Sequence, residues 1–121
     1  MSYIKYLSVI LILPFFFSCA SIPAKWSFRD KALGGIAITG SIADTAITER
    51  MLDTGRYRET NLFLEDHPSD GALGLHTAIE IIGVMLLAHY APEKYRPYIL
   101  GTWAAIGWGC TYHNYRLWKK E

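Results

Sequence analysis

Residues 44–69 read DTAITERMLDTGRYRETNLFLEDHPS, and this polar run decides how the chain is organised. It lies between apolar segments that are each long enough to form a helix entering a membrane. The preceding segment, residues 32–52, is rich in small and β-branched residues and turns polar from Asp44 onward. Gly55 is placed to end the first helix, and Ser69 or Asp70 to cap the next one. The sequence therefore predicts helices joined by a polar loop.

The segment after the polar run, residues 72–90, reads ALGLHTAIEIIGVMLLAHY and has about the ~20 residues that a membrane span requires. A third helix is expected to begin near Pro92. Within it, Gly101, Ala105 and Gly109 are spaced by four, which predicts a tight crossing with another helix. We therefore expect an all-α fold, a small membrane-associated bundle of about three helices after an N-terminal signal or anchor segment.

The N-terminal residues 1–21 read MSYIKYLSVILILPFFFSCAS and have the layout of a secretory signal, with an apolar core over residues 7–17. A cysteine directly after such a core resembles a bacterial lipoprotein signal, which implies that Cys19 is acylated and becomes the mature N-terminus. The alternative is an uncleaved anchor with a free Cys19. The expected division is therefore a lipoprotein-type signal peptide or anchor over residues 1–18, followed by a single helical membrane domain over residues 19–121.

Charge and motif content exclude several functional classes. The 12 basic and 11 acidic residues are spread along the chain and give a net charge of +1, so there is no basic field to bind nucleic acid. The sequence has neither a Gly-x-Ser-x-Gly elbow nor a glycine-rich phosphate loop. Cys110 has no base marked beside it. We therefore predict no catalytic, cofactor or metal residues, and a structural or protein-interaction role.

Several polar residues lie where burial between apolar helices would be costly. They are Asp44, Glu59, Asn61, His67, His76, Glu80 and Asn114. An ionised carboxylate at the centre of a membrane helix costs ~2.5–3.5 kcal/mol, so Glu80 should face the bundle and find a partner. His76 shares its helix face, whereas Thr102, Trp103 and Asn114 would lie across the bundle. The simpler interpretation is that these residues are hydrogen-bond partners that fix the helix register.

The alternative interpretation of Asp44, His76 and Glu80 is an intramembrane metal-dependent enzyme or an ion-handling site. Carboxylate and imidazole groups are common metal ligands and can also transfer protons. His-x-x-x-Glu alone is a frequent helical pattern, and local spacing fixes no third ligand.

Four short motifs follow one another in the order Asp44-Thr45, Glu59-Thr60-Asn61, His67-Pro68 and Asn114. This pattern resembles a group of uncharacterised small membrane proteins and predicted lipoproteins of bacteria and their phages. The resemblance covers about residues 26–118. It implies a helical membrane architecture but no known activity.

The expected location is a membrane of the bacterial cell envelope, with lipid anchoring through Cys19. The expected partners are membrane lipid and a protein that contacts the loop over residues 55–71, but not nucleic acid. A further alternative is a soluble helical bundle held by the lipid anchor, with its apolar helices packed on one another instead of on lipid.

Metabolic labelling with a fatty acid tests the lipoprotein prediction. We expect the wild-type chain to incorporate the label and the Cys19→Ser variant to lose it, because acylation requires the Cys19 thiol. Equal labelling of both proteins would contradict the prediction.

Overall fold

Three helices are present in the described part of the chain, which comprises residues 25–60 and 63–120 of a computed structural model. They are α1 (Phe28–Asp53), α2 (Asp70–Tyr90) and α3 (Arg96–Lys119), with a 3₁₀ turn at Glu93–Tyr95 before α3. Neither described range contains a strand. The predicted all-α bundle of about three helices is therefore confirmed. The signal or anchor segment and Cys19 lie outside the described residues.

The first helix begins earlier than expected. Ser27 is its N-cap: its hydroxyl accepts from the backbone N–H of Asp30 at 3.1 Å, and its own N–H donates to Oδ2 of Asp30 at 3.0 Å. This reciprocal capping box places the helix start at Phe28. The helix therefore begins four residues before the segment 32–52 in which the sequence predicted it.

The other helix ends follow the predicted signals. Gly55 has a φ of 71°, a left-handed conformation that glycine adopts without strain, and its N–H donates to the carbonyl of Leu52 at 2.9 Å. The Ser69 hydroxyl caps α2 by accepting from the N–H of Ala72. Pro97 lies in the first turn of α3, where its missing N–H is tolerated.

The loop before α2 contains no helix in its described part. Residues 63–69 form turns and bends, as the predicted polar loop implies. Asn61 and Leu62 lie outside the described residues. The N–H of Glu59 donates to the carbonyl of Asp66 at 2.7 Å, which brings the two arms of the loop together.

The helices run up, down and up. At one end of the bundle the indole of Trp26 donates to His89, and further along α1 a hydrogen bond joins Thr45 to Thr77, so α1 and α2 are antiparallel. The short connection after α2 makes α2 and α3 antiparallel as well. The first and third helices are therefore parallel, and they share the most extensive interface of the bundle.

The closest approach between α1 and α3 depends on two glycines. A Cβ atom on Gly107 would lie 2.9 Å from the carbonyl carbon of Gly40 and 3.0 Å from the backbone nitrogen of Ser41. A Cβ atom on Gly40 would lie 2.9 Å from the Trp108 ring. Both positions need glycine because the two backbones nearly touch there.

The predicted crossing at Gly101, Ala105 and Gly109 was wrong. Cβ atoms on Gly101 or Gly109 would meet nothing within 4 Å, and Ala105 is exposed. The buried residues of α3 include Leu100, Ala104 and Gly107 instead, and Gly107 is the one that approaches the α1 backbone at Gly40. Gly107 lies two positions from Gly109, which on a helix corresponds to a different face.

Only α2, among the described helices, is long and apolar enough by itself to cross a membrane. The sequence predicts about three membrane-associated helices. The first and third helices carry more polar residues, including Asp44 and Asn114, and fall short of that composition when each is considered alone.

Alanine substitutions distinguish a glycine in the contact between α1 and α3 from a glycine outside it. We expect Gly107→Ala to lower the free energy of unfolding by about 1–3 kcal/mol, because the added methyl group must separate α1 from α3. Gly109→Ala is the matched control. It should be neutral or stabilising by up to about 1 kcal/mol, since alanine favours helix and nothing lies nearby. Denaturant titration in detergent measures both variants, and equal stabilities would contradict the glycine contact.

Candidate functional site

A polar groove opens between the three helices, beside the segment that follows α1. Its volume is about 520 Å³. Every surrounding element contributes polar side chains: Ser41, Asp44, Thr45 and Thr48 from α1, Glu59 and Thr60 from the loop, His76, Thr77 and Glu80 from α2, and Cys110, His113 and Asn114 from α3. We call this set of residues and the space between them the polar groove.

Helical periodicity places these residues on common faces. His76 and Glu80 are four residues apart on α2, as are Cys110 and Asn114 on α3, so each pair lies along one side of its helix. The polar residues of α1 follow the same spacing of three or four. The up-down-up packing then turns the three polar faces toward one another.

Hydrogen bonds join α1 to α3 along this groove. The Asn114 side-chain amide donates to Oδ1 of Asp44 at 3.1 Å and to Oγ1 of Thr48 at 3.5 Å. Nearer the middle of the bundle, the indole N–H of Trp103 donates to the Ser41 hydroxyl at 3.2 Å. These contacts fix the longitudinal register of the two helices, because each donor reaches its acceptor in only one alignment.

A bond between two threonines connects α2 to the same face of α1. The Thr45 hydroxyl donates to the carbonyl of Ser41 at 3.0 Å and shares a hydrogen bond with the Thr77 hydroxyl. Since the Thr45 proton is directed to Ser41, Thr77 is the donor in the bond between the helices. All three helices are therefore linked by side-chain hydrogen bonds within one region.

The structure brings together most of the polar residues identified from the sequence. Those that line the groove are Asp44, Glu59, His76, Glu80 and Asn114. His67 is exposed and does not line the groove, and Asn61 lies outside the described residues. Sequence reasoning missed Thr48, Cys110 and His113 as lining residues. The available signal was that Thr48 lies four residues after Asp44 and Cys110 four residues before Asn114.

The expected partners of Glu80 are only partly borne out. His76 lies close enough to attract Glu80 electrostatically, as its position on the same helix face implies. The amide of Asn114 is directed to Asp44 instead, and the indole of Trp103 to Ser41. Glu80 therefore faces the groove without being the centre of its hydrogen-bond network.

The groove has acidic character. Asp44 lies near both Glu59 and Glu80, and each of these carboxylates repels that of Asp44 when both are ionised. Among residues 25–60 and 63–120, no three His, Cys, Asp or Glu side chains are grouped closely enough to share a metal ion. The arrangement of Asp44, His76 and Glu80 thus provides no preformed metal site, and the groove's observed chemistry is hydrogen bonding between helices.

A buried ion pair occupies the opposite end of the bundle. Arg96 and Asp30 are each only 1% exposed, and Nη1 of Arg96 lies 3.1 Å from Oδ2 of Asp30. The guanidinium also donates to the carbonyls of Ala88 and Lys25, both at 2.9 Å. Its carbon atom lies 5.4 Å from the centre of the Trp26 ring, in cation–π contact. We call this set the ion-pair junction.

Asp30 is held in its ionised form. Burial raises the pKa of this carboxyl, but hydrogen bonds from Ser27 and the Arg96 guanidinium lower it by more, so the pKa lies below its ordinary value. Oδ1 of Asp30 is buried and has no hydrogen-bond partner within the described residues. The carboxylate therefore depends on a single oxygen for both its cap and its ion pair.

The ion-pair junction was not predicted. The Ser-x-x-Asp spacing of Ser27 and Asp30 matches a capping box in which aspartate replaces the usual glutamate. The sequence therefore indicated that Asp30 could lie at the start of a helix. Nothing near Arg96 in the sequence indicates burial. Arginine is rarely fully buried unless it is paired, and its partner here is 66 residues away.

Comparison with known proteins finds no matching family model, no similar curated protein and no similar solved structure. A function must therefore be inferred from the packing, burial and charge of the described residues.

Removal of the Arg96 charge tests the ion-pair junction. We expect Arg96→Met to lower the free energy of unfolding by about 3–5 kcal/mol, because it leaves the Asp30 carboxylate buried and unpaired. Adding Asp30→Asn should recover part of this loss, since the buried charge is then removed. Lys94→Met, at an exposed position in the preceding turn, is the control and should stay within about 0.5 kcal/mol of wild type. No recovery in the double variant would argue against the pairing.

Proposed function

We propose that this protein is a small membrane-embedded or lipid-anchored bundle with a structural or protein-binding role. The observation that supports the proposal is the distribution of side chains. Small and polar residues occupy much of the space between the helices, beside a few buried apolar side chains such as Leu73 and Leu100, while many large apolar residues lie on the outside. A soluble domain of this size usually keeps most of its large apolar side chains inside.

The interior of the bundle is unusually polar for so short a chain. Asp30 and Arg96 rank among its largest fully buried side chains, and Ser41 and Thr77 are also buried. Much of the remaining α1 interface is made by glycine and alanine. Helices in lipid associate through such small residues and through hydrogen bonds between side chains, because lipid removes the hydrophobic driving force between them.

The outer face of α2 is apolar along its whole length. Leu75, Ile79 and Ile82 are 63%, 63% and 58% exposed, and Leu86 continues the same stripe. Only 22% of the most apolar stretch of this helix is buried. In water such a stripe would favour aggregation, whereas in a bilayer it faces acyl chains.

The polar residues of α1 and α3 are compatible with this placement because they face each other. Asp44 and Asn114 are hydrogen-bonded across the helix interface, so insertion would not expose them to lipid. We assign the spans to residues 32–52, 72–90 and 98–118. The ion-pair junction then lies at the headgroup level of one leaflet.

Aromatic residues at the two ends of the bundle support these span boundaries. Trp26, Tyr95 and Tyr98 lie at the end that carries the ion-pair junction, and Tyr115 and Trp118 lie toward the other. Tryptophan and tyrosine are enriched at both membrane interfaces, where their rings are apolar and their polar atoms remain hydrated.

Within this proposal the polar groove has a structural role. Its hydrogen bonds hold three helices in register, and Glu59 extends the groove into the loop of residues 55–71. That loop is mostly exposed in its described part and is the surface we assign to a protein partner. Acylation of Cys19 would add a second attachment to the same membrane.

A charge placed on the outer face of α2 tests the membrane placement. We expect Ile79→Lys to reduce the membrane-inserted fraction strongly, since a lysine at the centre of a span costs ~2.5–3.5 kcal/mol. Phe28→Lys is the control: Phe28 is 88% exposed but precedes the proposed span, so little change is expected. Both substitutions are made in a Cys19→Ser chain carrying a replaced signal, and alkaline carbonate extraction measures the fraction that stays in the membrane. Release of the parent Cys19→Ser chain would contradict spanning helices and favour a soluble bundle.

A further inference from the structure

A second groove runs along the interface of α1 and α3, away from α2. Its volume is about 480 Å³, within the ~300–1,000 Å³ typical of ligand pockets. One wall consists of aromatic side chains of α3: Trp108, Tyr112, Tyr115 and Trp118. The facing wall on α1 includes Ala43 and Ala46, whose small size leaves the space open. We call this the aromatic groove.

The aromatic groove follows one face of α3. Its first three aromatic residues are spaced by four and three, so they form a continuous row, and Trp118 extends the row to ~15 Å along the helix axis. A long apolar trough of this kind suits an extended hydrocarbon chain better than a compact ligand.

Positive charge collects at one end of the trough. Arg50 in the last turn of α1 lines it directly, and none of the described lining residues is acidic. The Arg116 guanidinium lies 5.9 Å from the centre of the Tyr112 ring, and Nζ of Lys119 lies 5.5 Å from that of Tyr115. Three cations thus adjoin an apolar trough at the level where the helices leave the proposed span.

We propose that the aromatic groove binds one anionic phospholipid. An acyl chain lies along the aromatic wall, and the phosphate accepts hydrogen bonds from Arg50, with Arg116 and Lys119 providing further positive charge. Charge complementarity selects this occupant, because a zwitterionic lipid would gain less from three cations. The assignment rests on the membrane placement proposed above, which sets the cations at the headgroup level.

Native mass spectrometry of the full chain in detergent tests the site. Phosphatidylglycerol and phosphatidylcholine with identical acyl chains are titrated separately. We expect one phosphatidylglycerol molecule to be retained per chain and phosphatidylcholine to be lost at least about tenfold more readily, because its choline cation is repelled by the three cations of the site.

Two substitutions test the charged end and the apolar trough of the site separately. Arg50→Gln should weaken phosphatidylglycerol binding about tenfold and narrow its preference over phosphatidylcholine, whose choline cation already opposes the cations of the site. Ala46→Phe should fill the trough and weaken both lipids. Arg29→Gln removes the same charge from an exposed position at the other end of α1 and should leave binding as in wild type. Circular dichroism establishes that each variant retains its helices.

Several results would overturn the proposal. Equal retention of the two lipids would show that charge does not select the occupant. Equal weakening by Arg50→Gln and Arg29→Gln would show a general attraction of the protein's cations to anionic lipid without a specific site. Competition by inorganic phosphate as effective as that by phosphatidylglycerol would indicate an anion site without an acyl chain. A dimer that excludes lipid would assign the groove to a second copy of the chain. Carbonate release tests the membrane placement independently, so a bundle that stays in the membrane yet shows no lipid selectivity contradicts this inference alone.

Discussion

The buried pair of Asp30 and Arg96 is the constraint on which the arrangement of the helices depends. The Arg96 guanidinium contacts Asp30 at the start of α1 and the Ala88 carbonyl at the end of α2. It also donates to the carbonyl of Lys25, in the segment before α1. Because Arg96 is itself the first residue of α3, one side chain joins all three helices at one end of the bundle. A buried charge of this kind tolerates no other alignment without losing its partner.

From that junction, polar contacts extend along the bundle axis. The bond between Trp103 and Ser41 follows, then the glycine contact, and then the bond between Asn114 and Asp44. The α1–α3 interface is therefore specified by hydrogen bonds and close backbone approach more than by apolar volume. Such an interface is favoured where the surroundings are themselves apolar, and this is the basis of the proposed membrane placement.

The close α1–α3 pair creates two grooves of opposite character. Toward α2 the polar groove collects carboxyl, hydroxyl and amide groups, and its space is closed in by the loop segment around Glu59. On the other side, the aromatic groove collects rings and the cation Arg50. The same helix pair thus presents an acidic surface to α2 and the loop, and a basic, aromatic surface on its opposite side. This separation follows from which face of each helix a residue occupies.

The sequence by itself determined the helices and their caps, because these depend on hydrogen bonds between residues only a few positions apart, as at Ser69 and Gly55. It also indicated part of the polar groove, since Asp44 and Asn114 are costly to leave unpaired in an apolar helix. Only the tertiary structure decided that Arg96 is buried and that Gly107 is the crossing point. Both depend on α1 residues more than 60 positions away, and the buried face of α1 is made of small and polar residues that leave no apolar periodicity to detect.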